Sequence, residues 1–132
     1  MGEITSTIDN KGRIVIPSKL RVVVEQPLLV KDSRGCLKLC PASYWQGKVQ
    51  NMIKGKKGRE RRRIKRRICS RAFDVEIDGQ GRILIPLSLR DEFSPGKKIV
   101  FLRKNNFWEI WIRATLKNYQ KEREKKEREK QC

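Results

Sequence analysis

Period-two alternation runs through Arg13-Ile14-Val15-Ile16, setting Ile14 and Ile16 on one face of a strand and Arg13 and Val15 on the other. Residues 4–8, also rich in β-formers, precede it, and the four residues between, Asp9-Asn10-Lys11-Gly12, have tight-turn chemistry. The pattern predicts a hairpin. It recurs at Val75-Glu76-Ile77 and Arg82-Ile83-Leu84-Ile85 around Asp78-Gly79-Gln80-Gly81, with Ile83 and Ile85 on the apolar face. Pro17 and Pro86 close these strands and open short helices, over residues 18–24 and 87–93. A further strand pair follows each helix. In the first copy it is Leu28–Lys31 and Cys36–Cys40 about Asp32-Ser33-Arg34-Gly35; in the second it is Lys98–Leu102 and Phe107–Ile112 about Lys104-Asn105-Asn106.

The two phrases are one phrase repeated. Ile8 to Arg21 returns at Ile77 to Arg90, offset by 69 residues, with 9 of 14 positions identical. Two like units, each too small to bury a core alone, must share one within 132 residues. The expected organisation is a first module over 1–46, a helical connector over 47–72, a second module over 73–116 and a charged helix or tail over 117–132. A helix that enters at Pro41–Trp45 runs into the connector, and Gly55 and Gly58 separate it from a second helix over 59–72. Ile64, Ile68 and Ala72 would form the apolar stripe of that second helix.

Charge changes the picture. The chain carries 33 Lys and Arg against 15 Asp and Glu, a net +18, which favours a polyanionic partner. Residues 54–71 hold 11 basic side chains and one acidic, so more than half of the excess lies in the connector. Such one-sidedness exceeds that of a solvated helix face and points to phosphate contacts by Arg61, Arg62, Arg63, Lys65, Arg66 and Arg67. The absence of aromatic residues there argues against a single-strand stacking platform. Histidine is absent, and neither a Gly-rich phosphate loop nor a nucleophile beside a base is present, so an enzyme is not expected. Cys36, Cys40, Cys69 and Cys132 lack metal-site spacing, so no metal or cofactor is expected. Neither a membrane span nor a secretory signal is apparent. The expectation is a cytoplasmic, nucleoid-associated protein with no membrane partner and no small-molecule substrate.

Asp-x-x-Gly-Arg-Ile-x-Ile-Pro-x-x-Leu-Arg, present twice about 70 residues apart, resembles the MraZ family within the AbrB-like, swapped-hairpin group of DNA-binding folds. Pro41 to Trp45, the Arg-rich segment before the second phrase and Glu109 to Trp111 match in order, so the resemblance spans residues 4–116. It implies an α+β fold with a double-split β-α-β core and a ring-like homo-oligomer. It further implies a transcriptional regulator, expected to be a repressor, that binds short direct repeats upstream of the division and cell-wall gene cluster. Here the N-terminus lacks an aromatic residue before the first strand, the connector is more basic, and the tail is short and highly charged.

The same resemblance assigns double-stranded DNA contact to Asp9–Arg13 and Asp78–Arg82. Arginine can present a two-pronged donor to guanine O6 and N7, so Arg13 and Arg82 are the expected readers. Against this stands a local role, in which Asp9–Arg13 and Asp78–Arg82 ion pairs merely brace the turns; the two roles can coexist. Asp9 and Asp78 orient or cap, Lys11 can contact phosphate or guanine, and Gln80 can read adenine or bond backbone. The first copy, with Lys11, is the favoured reader. Arg21 and Arg90 are expected in structural ion pairs, and Trp45, Trp108 and Trp111 in the core or a subunit interface. An RNA-binding or ribosome-associated protein, or an antitoxin-like interaction module, are the rival functions.

Overall fold

A computed structural model describes residues 4–21 and 25–131. Its strands are β1 (Ile4–Thr7), β2 (Arg13–Val15), β3 (Pro27–Lys31), β4 (Leu37–Pro41), β5 (Ala72–Asp74), β6 (Arg82–Leu84), β7 (Lys98–Arg103) and β8 (Trp108–Ile112). The helices are α1 (Ser18–Arg21), α2 (Ala42–Ile53), α3 (Gly58–Cys69) and α4 (Arg113–Gln131), with one 3-10 turn at Leu87–Leu89. The fold is thus mixed α/β, built on antiparallel sheet.

Six strands form one sheet in the order β1-β7-β8-β4-β3-β5, and β2 and β6 form a separate two-stranded ribbon. The local hairpins expected at Asp9–Gly12 and Asp78–Gly81 do not form ladders. β1 pairs with β7 of the second half, β5 pairs with β3 of the first, and β2 pairs with β6. Each half therefore lends its opening strand to the other, around a pseudo-two-fold axis between β4 and β8. The reason lies beyond the turn: the backbone N–H of Ile16 donates to Gly81 and that of Ile85 to Gly12, so the outgoing strands satisfy each other. In the second copy the opening strand is Ala72–Asp74, ahead of the expected Val75–Ile77.

Alternation decides the layers. Ile14, Ile16, Ile83 and Ile85 are buried between the ribbon and one sheet face, together with Leu29, Leu39, Phe101 and Ile110. The opposite sheet face is covered by α2 over Leu28, Val30 and Cys40, and by Leu116 and Tyr119 of α4 over Val100 and Trp111. α3 packs on α2 through Ile64 and Ile68 against Val49 and Ile53. It ends at Cys69, so Ala72, expected on its stripe, instead pairs with Val30 in β5. The helix expected over 87–93 shortens to the 3-10 turn at Leu87–Leu89, and that expected over 18–24 is described only at Ser18–Arg21. Its residues 22–24 lie outside the described residues. The C-terminal segment is helical through Gln131, and no helix among the described residues is long and apolar enough to cross a membrane.

Candidate nucleic-acid interface

Each Asp-x-x-Gly-Arg turn is closed by its own aspartate. Asp9 Oδ1 accepts the backbone N–H of Lys11 at 2.9 Å and of Arg13 at 2.8 Å, while Oδ2 accepts Arg13 Nε at 2.9 Å. Asp78 repeats this with Gln80 and Arg82 at 2.9 Å, and with Arg82 Nε at 3.0 Å. The backbone bonds, from Arg13 above all and from Arg82 in the second turn, hold both carboxylates below their usual range. Gly12 and Gly81 take φ of +81° and +77°, which a side chain would oppose. Bracing uses only Nε. Among the described residues nothing engages the Nη1 and Nη2 groups of either arginine, so each guanidinium keeps its two-pronged end for an outside acceptor pair.

A second pair of arginines ties the turns together across the halves. Arg21 Nε donates to the Ile16 carbonyl at 2.7 Å, and Arg90 Nε to that of Ile85 at 2.8 Å. The expected ion pairs are replaced by backbone acceptors, which the strand ends expose where the chain turns into α1 or the 3-10 turn. The guanidinium of Arg21 lies on Gly81, and that of Arg90 lies on Gly12, where a Cβ would sit 2.9 Å from Nε. The turn of one half is thus seated on an arginine of the other.

A “Transcriptional regulator MraZ” of Lachnoclostridium phytofermentans is 39% identical over 112 residues, covering 84% of this chain and 79% of that protein. The protein of the same name from Limosilactobacillus reuteri is 41% identical over 115 residues, covering 84% and 80%. The chain belongs to the MraZ family. The family model described as “MraZ protein, putative antitoxin-like” matches residues 68–131, and a Roseiflexus relative, 35% identical over 122 residues, has the same regulator name. The family is one of transcriptional regulators, not enzymes.

Within this MraZ-family chain the two turn ends differ. Thr5 and Thr7 flank the first turn where the second has Asp74 and Glu76, all four exposed. With Asp78, those carboxylates line a groove shared with Arg13, Arg82 and Leu84. The first turn carries Lys11, exposed at its tip, where the second has the uncharged Gln80. Spacing by 69 residues makes the contrast readable in the sequence, although only the fold shows that these side chains flank the arginines. Arg62, Arg63, Lys65, Arg66 and Arg67 of α3 are exposed, Arg61 is half-buried, and Glu60 is held by Lys56 at 3.6 Å.

The tryptophans are structural. Trp108 and Trp111 are buried and Trp45 packs between α2, α3 and the sheet. Glu109, 2% exposed, accepts Trp111 Nε1 at 3.0 Å and an Nη2–H of Arg34. Arg34 also bonds Asp32 at 2.9 Å, pinning the β3–β4 turn to the sheet face beside α4. Only the Glu-Ile-Trp phrase marked this network in the sequence. Cys36 and Cys40 are buried free thiols, pushed up to about 12 and about 11 by desolvation.

Proposed function

We propose that this MraZ-family chain is a sequence-specific DNA-binding transcriptional regulator, with the β2–β6 ribbon and its turns as the reading surface. The observation that carries the reading is the fixed Nε of Arg13, which leaves an oriented Nη fork at a rigid turn. Such a fork matches guanine O6 and N7, and an antiparallel ribbon fits the major groove. The relatives' regulator names support the same assignment. Arg13 and Lys11 are the principal contacts; Asp9 orients Arg13, and the second turn, with Gln80 in place of the Lys11 cation, leaves Arg82, Gln80 and Asp78 a lesser share. α3 grips phosphate without choosing sequence.

The exchanged strands support a double-split β-α-β core. The protein acts as a repressor in a homo-oligomeric ring. Short direct repeats upstream of the division and cell-wall genes are its operator, and repeated weak contacts gain affinity through effective concentration. Footprinting upstream of the protein's own gene, with solution mass measured in parallel, tests this. Protection of spaced short repeats by a multi-subunit species is expected; no protection, or competition by structured RNA better than by duplex DNA, would shift the function to the RNA-binding reading.

A further inference from the structure

The outward face of the ribbon carries more than its arginines. Val15 and Leu84 are 47% and 51% exposed, while Ile14, Ile16, Ile83 and Ile85 are at most 1% exposed. Leu84 stands opposite Arg13, and Val15 opposite Arg82. The face is therefore a four-point lattice around the Ile14–Ile83 pair, with arginine and aliphatic alternating. A single exposed aliphatic requires no explanation. Two related by the internal two-fold, each next to an arginine with an open Nη fork, form a patterned surface.

We propose that Val15 and Leu84 are specificity-determining contacts that read the C5-methyl groups of thymines next to the guanine read by Arg13, an inference that rests on the DNA-binding function proposed above. The thymine methyl is the apolar feature of the major-groove edge, so an aliphatic beside a guanine-reading arginine has a complementary target there. The two arginines favour this occupant, although Asp74, Glu76 and Asp78 share the groove of Leu84: burying this face against an apolar protein surface would strand both Nη forks, whereas duplex DNA supplies their acceptors. Spacing agrees. Leu84 lies across the ladder from Arg13, about 5 Å away, and Val15 lies two residues along, about 7 Å away. With about 3.4 Å per base pair, both methyls fall within about two base pairs of the guanine.

The test uses the full chain and the duplexes it selects from a random library, resynthesised with deoxyuridine in place of thymine within two base pairs of the guanine. Each lost methyl should weaken wild-type binding about fourfold. A Val15→Ala/Leu84→Ala variant should bind thymine and uracil duplexes alike while keeping its guanine preference and solution mass. Equal wild-type affinity for both duplexes, or selected sites without thymine at these positions, would overturn the inference. So would a double variant that loses subunits yet still discriminates thymine from uracil, which would make the face a subunit contact. Failure of the underlying function reads differently: the wild type would select no site at all.

Discussion

Among the glycines of the described residues, Gly81 leaves the least room for a side chain. A Cβ there would land on the Arg21 guanidinium and adopt φ of +77°, so Gly81→Ala must displace Arg21 from the Ile16 carbonyl as well as bear left-handed strain. The expected loss is roughly 2–4 kcal/mol, combining about 1 kcal/mol for the backbone with a charged hydrogen bond. Urea unfolding measures it, and a loss under 1 kcal/mol would deny Arg21 its bracing role. Asp32 provides a pH test. Burial raises its pKa, but bonds from Arg34 and Lys38 outweigh this and hold it at about 2. Its folded value lies below the unfolded one, so its contribution is full above about pH 4 and is lost as pH falls toward 2. That contribution is on the order of 2 kcal/mol, and Asp32→Asn should remove that part of the acid limb of stability. Thiol labelling of the native chain should reach exposed Cys69 well before Cys36 or Cys40, because burial keeps the latter two protonated; equal rates would contradict their placement.

At the scale of elements, alternation identified the face of each strand but not its partner. Ile14, Ile16, Ile83 and Ile85 were readable as core because a period of two fixes which side points inward. The pairing of β2 with β6 was not readable, since a tight Asx turn looks the same whether its flanking strands pair with each other or diverge. The acceptors of Arg21 and Arg90 were not readable for a similar reason: backbone carbonyls have no signature in sequence. α3 carries its own test. Arg59, Arg63 and Arg67 follow at four-residue intervals, as do Arg62 and Arg66, and each such like-charge pair costs a helix about 0.2–0.5 kcal/mol. Packing of Ile64 and Ile68 on α2 offsets that cost. Raising salt should therefore increase the thermal midpoint of the protein, and neutralising Arg62 and Arg66 should blunt the increase; calorimetry across ionic strength would detect either.

For the whole molecule, the strand exchange makes the two halves interdependent. Residues 1–53 lack the partner strands of β1 and β2, and residues 54–132 lack those of β5 and β6, so neither fragment should give a folded monomer. Mixing the fragments should restore the native circular dichroism; a cooperatively folded monomer from either one would refute the interleaved core. The same shared core holds both turns at one ribbon and leaves α3 on the far side of α2, so the selection and grip proposed above would fall to different parts of the molecule. One titration separates them: the affinity ratio of operator to random duplex, followed against salt for the wild type, Arg13→Ala and a variant neutralised at Arg62, Arg63, Arg66 and Arg67. Arg13→Ala should lower the ratio about 10- to 100-fold while the slope on random duplex stays near wild type. The α3 variant should keep the ratio and flatten the slope by up to about 0.9 per arginine. An Arg13→Ala protein that retains the full wild-type ratio would contradict the reading of DNA by this turn.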